Sequence, residues 1–180
     1  MQQMTHYTLY ASPLGNLLIA AESDGISGLW FEGQKNAPCP ASADGPDPSQ
    51  PLLAAAVGWL DAYFSGQRPP ALPPLLLRGT AFQLAVWRQL TLIPYGTTTT
   101  YQAIGQAVAR LQGRRHLSAQ AVGQAVGRNP VSLMVPCHRV IGSNGHLTGY
   151  AGGIGRKRRL LELEQAIILP ELIGVSSTKR

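Results

Sequence analysis

The chain has little cysteine, few aromatic residues and no long apolar run, and these shortages close off several classes of protein. Two cysteines, Cys39 and Cys137, among 180 residues are too few for a disulfide scaffold or a four-cysteine zinc site. No stretch approaches the ~20 consecutive apolar residues that a membrane-spanning helix requires. The opening residues, MQQMTHYTLYASPLG, hold no basic stretch leading into an apolar one, so no signal peptide is expected. A cytoplasmic, reducing environment with free thiols follows as the expectation. What the chain does have is 44% hydrophobic residues, far above a disordered chain and enough for one large or two small cores.

Acidic residues are scarce in one half only. Residues 1–78 carry three Lys/Arg against six Asp/Glu, net −3, and residues 79–180 carry twelve against three, net +9. A polyanion partner for the second half would account for the division. A solvated basic surface without a partner would account for it equally.

The first thirty residues read as an antiparallel meander. Tyr7, Leu9 and Ala11 alternate with more polar neighbours, Leu17 to Ala21 form an apolar run, and Ile26 to Phe31 a third strand. Ser12-Pro13-Leu14-Gly15 and Ser23-Asp24-Gly25 supply the turns. Residues 33–51 lack apolar periodicity and form a loop holding Cys39, to which no chemistry is assigned. Leu52, Leu53, Ala56, Leu60, Tyr63 and Phe64 recur at helical spacing, with Gly66 just past the end. The following PPALPP can be neither helix nor central strand and reads as a semi-rigid linker, which places a domain boundary near Arg78.

The second half reads as helices. Thr80 is the N-cap of a helix whose face carries Phe82, Val86, Trp87 and Leu90. A turn at Pro94-Tyr95-Gly96 and the β-prone Thr97 to Thr100 lead into a helix from about Tyr101 to Leu111. The basic turn Gly113-Arg114-Arg115-His116 separates it from a third helix, Ser118 to about Gly127, rich in alanine and glycine. Two helices across a short glycine-containing turn fit a helix-turn-helix or an ordinary helical hairpin. Small side chains on the third helix would let its backbone approach a groove.

Chemistry concentrates in residues 129–140, NPVSLMVPCHRV. Val131 to Val135 reads as a short buried strand ended by Pro136, which leaves Cys137 and His138 at a junction. A cysteine attacks only as thiolate, so it needs a base or positive potential nearby, and His138 and Arg139 are the local candidates. Side chains adjacent in sequence diverge, so His138 would act through a water or by ring placement. A buried, inert Cys137 packing as a small hydrophobe is the alternative.

The string Pro136-Cys137-His138-Arg139-Val140, with Asn129-Pro130 before it and Gly149-Tyr150-Ala151-Gly152-Gly153 after it, resembles the O6-alkylguanine-DNA alkyltransferases. SPLG, the meander and GTAFQLAVWRQLTLIPYGTTTTYQAIG extend the likeness over most of the chain. The resemblance implies an α+β protein: an N-terminal RNase-H-like domain with an antiparallel sheet (1–78) and a C-terminal winged-helix domain (79–180). It implies direct-reversal repair, in which Cys137 takes the alkyl group from guanine O6 once and irreversibly, with O4-alkylthymine a further candidate substrate. By the same likeness His138 takes the thiol proton through a water, Glu164 on a C-terminal helix (Arg156 to about Glu164) orients His138, and Tyr101 donates to guanine N3. Asn129 would tie the recognition helix to the active site. Ala119, Gln120, Ala121, Gly123 and Arg128 would meet DNA, and Val140, Tyr150, Ala151 and Gly152 would wall the base pocket.

The implied partner is double-stranded DNA bearing alkylated bases, held through the minor groove by a monomer able to cluster along it, with the target base flipped out. No cofactor is implied, and no metal, since the N-terminal half lacks a matching Cys/His set. One position departs from the family pattern: the arginine that fills the gap left by the flipped base has Gln120 in its place, and Arg128 or the Arg114-Arg115 pair could compensate through phosphates. A non-transferring lesion binder, a winged-helix regulator with a packing Cys137, and a cysteine hydrolase are the competing functions. The cysteine at position 137 argues against the first, and the last would need an oxyanion hole and a histidine remote in sequence and would leave the basic half unexplained.

Overall fold

The computed structural model describes residues 4–38 and 50–165; Cys39, most of its loop and everything from 166 onward lie outside the described residues. The meander forms as β1 (His6–Ser12), β2 (Gly15–Glu22) and β3 (Gly25–Phe31), an antiparallel sheet in the order β1-β2-β3. Leu17 to Ala21 in the central strand are all buried, which explains why that run is continuously apolar rather than alternating. Helix α1 (Pro51–Phe64), with proline in its first turn, packs on this sheet through Leu53, Ala56, Trp59, Leu60 and Tyr63.

The free edge of β3 is not left bare. A register shift inserts an extra residue between the partners of Ala20 and Ala21, so Ile26 and Leu29, three apart, both turn their backbone groups outward. Ile26 N–H donates to the Pro74 carbonyl at 2.8 Å and its carbonyl accepts from Leu76 N–H at 2.8 Å. Leu29 N–H donates to the Pro130 carbonyl at 2.9 Å and its carbonyl accepts from Ser132 N–H at 2.8 Å. The proline-rich stretch therefore does not span open space. Prolines cannot donate, but Pro74 accepts and Leu76 donates, which suffices to dock the segment on an edge. Trp59 Nε1 donating to the Pro70 carbonyl at 3.2 Å and the ion pair of Arg78 with Glu22 fix its two ends.

Beyond it, α2 (Ala81–Thr91) starts in a capping box in which Thr80 and Gln83 each bond the other's backbone N–H. Then come β4 (Thr99–Thr100), α3 (Tyr101–Leu111) capped by Thr100, and α4 (Ala119–Gly127) capped by Ser118. The three helices pack on one another, and Trp87 Nε1 locks α2 to α4 through the Ala125 carbonyl at 2.8 Å. A 3-10 turn (Cys137–Arg139) leads into β5 (Val140–Ile141), which pairs in parallel with β4, and α5 (Ile154–Leu163) closes the described chain. One buried cluster runs through both halves, from Leu17 and Phe31 to Val126, Val135 and Leu160.

Residues 131–135 correct the sequence-based expectation of a strand. Only Val131 makes a bridge, to Leu29; the rest close into a tight turn, with Val135 N–H bonding the Val131 carbonyl at 2.9 Å and Leu133 at φ +70°. Five buried residues, four of them apolar, carry no period that separates strand from buried turn. A left-handed leucine is costly, of order 1–3 kcal/mol, and persists where surrounding contacts determine it.

Candidate active site

Asn129, just past the end of α4, staples the turn at both ends. Its Oδ1 accepts from Val131 N–H at 3.0 Å; its Nδ2 donates to the Val135 carbonyl at 2.7 Å and to Cys137 Sγ at 3.1 Å. Helix α4 and the cysteine are thus held in fixed relation by one side chain. Cys137 is only 5% exposed, yet it lines an open cleft of about 1500 Å³. Burial pushes its thiol up from the ordinary range, against the opposing pull of the Asn129 amide and the Lys157 charge. The resting group is a thiol, and a base must take its proton before it can attack.

A candidate base lies behind the cleft. His138 is fully buried, with Nε2 2.6 Å from Glu164 Oε1. Glu164 also receives Tyr63 OH at 2.7 Å and Arg139 NH2 at 3.0 Å on Oε1, and Arg139 Nε at 2.8 Å and Gly96 N–H at 3.1 Å on Oε2. Burial opposes ionisation, but the donors from His138 and Arg139 outweigh it and lower the carboxyl to about 2. An ionised carboxylate only accepts, so His138 carries its proton on Nε2 and, when neutral, presents Nδ1 as a lone pair. Burial lowers the imidazole, with Arg139 and Lys157 adding to this and Glu164 opposing it. Nδ1 has no protein hydrogen-bond partner. A neutral, oriented base with its accepting atom free stands next in sequence to a protonated thiol.

Gly96 makes this possible in its own way. At φ +75° it turns its amide onto Glu164, and a Cβ there would lie 2.9 Å from the Glu164 carbonyl.

Tyr101, the first residue of α3, lines the cleft and donates to the Thr148 and Gly149 carbonyls at 3.1 and 3.3 Å. Burial raises its phenol, so it remains a donor. Lys157, wholly buried, clamps the same loop from below by donating to the carbonyls of Val140 at 2.6 Å, Thr148 at 2.8 Å and Gly149 at 3.4 Å. Arg156 ties that loop to the N-terminal sheet through the Gly152 carbonyl at 3.1 Å, the Leu14 carbonyl at 2.9 Å and the face of Phe31.

The cleft gathers many, but not all, of the residues singled out from sequence. Ala119, Gln120 and Gly123 of α4 and Arg128 just past its end line it, together with Tyr150, Ala151 and Arg115. Ala121 is absent from the lining, Val140 is fully buried with its carbonyl on Lys157, and Gly152 lies behind Tyr150 and Phe31. A Cβ at Gly152 would come within 2.7 Å of the Tyr150 ring, so the loop's close packing requires glycine. Asn129, His138 and Glu164 stand behind Cys137 rather than in the cleft wall. No group of His, Cys, Asp and Glu able to hold a metal occurs among the described residues.

Two family models divide the chain between them. Residues 5–75 match the ribonuclease-like domain of 6-O-methylguanine DNA methyltransferase, and residues 81–166 match its DNA binding domain. The chain belongs to the 6-O-methylguanine DNA methyltransferase family. Within that family, the methylated-DNA–protein-cysteine methyltransferase of Mycobacterium tuberculosis H37Rv is 43% identical over 163 residues, covering 91% of this chain and 94% of that one. The Haemophilus influenzae protein of the same name is 37% identical over 175 residues, covering 97% and 93%. The crystal structure of Mycobacterium tuberculosis OGT in complex with DNA is similar with a TM-score of 0.76 and 42% identity, over 89% of this chain and 92% of that one.

Sequence reasoning about this methyltransferase-family chain missed three members of the buried network. Tyr63 reads as one apolar position on α1, Gly96 as turn chemistry, and Lys157 as one more basic residue of a charged helix. The signal for Lys157 was available: it follows Ile154 at helical spacing, on the side of α5 that buries Leu160 and Leu161.

Proposed function

We propose that this protein repairs alkylated DNA by moving the alkyl group of O6-alkylguanine onto Cys137, and that the carrying observation is the arrangement of Cys137 with His138 and Glu164. The thiol sits at the cleft wall, and an imidazole with a free Nδ1 is held by an anion behind it. His138 takes the thiol proton, through a water, and Cys137 Sγ attacks the alkyl carbon in line. The S–C bond forms as the C–O6 bond breaks, and the electron pair passes into the purine. Tyr101 then donates its hydroxyl proton towards guanine N3, so that guanine leaves neutral, and solvent carries the His138 proton back to the phenol. Overall, the thiol hydrogen replaces the alkyl group on guanine. To serve in this way Tyr101 turns its hydroxyl from its present carbonyl acceptors to the base.

The duplex is bound by the basic half across α4, from the minor groove, with the lesion flipped into the cleft between α4 and the Tyr150–Ala151 loop. The family-model limits support a division of labour near Arg78. The thioether product is a poor leaving group, and Cys137 is the one cysteine among the described residues, so each molecule acts once, in the cytoplasm, without cofactor or metal. O4-alkylthymine, whose alkyl oxygen is of the same type, is a second substrate.

A duplex carrying radiolabelled O6-methylguanine tests this. Label should transfer to at most one equivalent per protein, with the mass increase on the peptide containing Cys137. Cys137→Ser should bind the duplex and transfer essentially nothing, because a hydroxyl is not appreciably ionised near neutrality. Label on Cys39, repeated turnover or transfer by the serine variant would overturn the reading.

A further inference from the structure

We propose that Tyr63, carried by the N-terminal half, is a positioning residue for the transfer reaction, acting through Glu164 on His138. This inference rests on the alkyl-transfer reading and extends it: the half without the reactive cysteine completes the proton-accepting machinery.

The geometry comes from opposite ends of the chain. Tyr63 lies on α1 and reaches across to Glu164 at the end of α5, 101 residues away, donating to Oε1 at 2.7 Å. This is the same oxygen that His138 Nε2 approaches at 2.6 Å. The Tyr63 hydroxyl oxygen also stands 3.4 Å from His138 Nε2, so donor, carboxylate and imidazole form a closed triangle. Burial and the Glu164 charge push the Tyr63 phenol far up, which keeps it protonated and donating. Its ring is itself clamped, stacked on Trp59 at 5.4 Å and edge-on to Phe64, Tyr95 and His138. A hydroxyl so fixed chooses the position of Oε1, and Oε1 sets the plane of the imidazole that must accept the thiol proton.

The hydroxyl also sets basicity. Each donor on Glu164 withdraws charge that would otherwise hold a proton on His138. The groups facing His138 and Glu164 are Tyr63 from α1, Tyr95 and Gly96 from the turn before β4, Cys137 and Arg139 from the 3-10 turn, and Lys157 and Tyr150 from α5 and its preceding loop. Loss of the Tyr63 hydroxyl alone leaves a more basic carboxylate, a His138 that holds its proton more tightly, and less neutral base at a given acid pH. A merely structural tyrosine would change stability without moving that titration.

Single-turnover transfer from a duplex carrying O6-methylguanine, measured with the full chain across acid and neutral pH, reads this directly. Tyr63→Phe keeps the ring and its packing. The expected result is a transfer rate about tenfold lower, roughly 1.4 kcal/mol in the barrier, with the acid limb of the profile moved to higher pH and duplex affinity unchanged. Fluorotyrosine placed at position 63 keeps the whole side chain and strengthens the donor, so its acid limb should move the opposite way, to lower pH. An acid limb that stays put with fluorotyrosine overturns the proposal, whatever becomes of the phenylalanine variant. A wild-type chain that transfers no label at all would instead sink the alkyl-transfer reading.

Discussion

Replacing Glu164 by glutamine keeps the side chain's shape and removes its charge, and the structure says where in pH the loss should be felt. The carboxyl is lowered from 4.5 to about 2. A carboxyl with a depressed folded value adds stability that is fully present above its unfolded value and is lost as pH falls through the folded one. The window is therefore from about pH 4.5 down to about pH 2, and a shift of that size corresponds to roughly 3 kcal/mol. Glutamine cannot titrate, so this slope should vanish from the variant. At neutral pH the variant carries a different penalty. Arg139, 6% exposed, keeps the Ile93 carbonyl at 2.7 Å but loses its counter-charge. Breaking a buried pair on one side costs about 3–5 kcal/mol.

The two curves should lie several kcal/mol apart near neutrality and converge as pH falls below 4.5. His138 titrates in a separate window. Its lowered imidazole costs stability as pH drops below the ordinary value of 6.5, and costs more in the variant, which lacks the Glu164 charge that opposes the lowering. Urea unfolding followed by the fluorescence of Trp59 and Trp87, at a series of pH values for each protein, measures the difference. Curves that stay parallel below pH 4.5 would refute the assignment of an ionised, donor-saturated Glu164.

Three further outcomes are expected at the DNA face. Affinity for duplex should fall as salt rises, because the +9 half meets phosphates by charge; a salt-independent affinity would count against α4 as the contact. Arg128→Ala, at the cleft end of α4, should reduce the slope of log affinity on log salt by about one, which direct titration at several salt concentrations would show. Gln120→Arg should tighten duplex binding and speed repair of methylated duplex while leaving the rate with free O6-methylguanine base nearly unchanged, since a free base needs no extrusion. Equal acceleration of both would place residue 120 in the pocket rather than in the gap left by the base.

Much of the fold was legible because it is written locally. Thr80 announces the start of α2 through a hydroxyl that its own first turn consumes, and the structure shows Thr100 and Ser118 capping α3 and α4 in the same way. The strands of the meander follow from turn chemistry and alternation. What failed was the one segment whose conformation is dictated from outside. Residues 131–135 turn rather than extend because Asn129 grips both ends and Leu29 takes the Pro130 and Ser132 backbone. The proline-rich stretch fails as a spacer for a related reason. A docking edge on β3 exists only through the extra residue in that strand, and no property of PPALPP reports it.

The site divides along the same line. Cys137 and His138 are neighbours in sequence, so their chemistry could be weighed from a short string. Tyr63 could not, because a tyrosine on an apolar helical stripe looks like any aromatic core residue. Yet the stripe itself posed a question that phenylalanine would not have: a phenol carried into a core needs an acceptor for its hydroxyl. Leu53, Ala56 and Leu60 on the same face ask for nothing polar. Any carbonyl, ring nitrogen or carboxylate can serve, as the backbone acceptors of Tyr101 show, so the sequence asks for a partner without naming it. Only the fold brings Glu164, 101 residues away, to 2.7 Å from that hydroxyl.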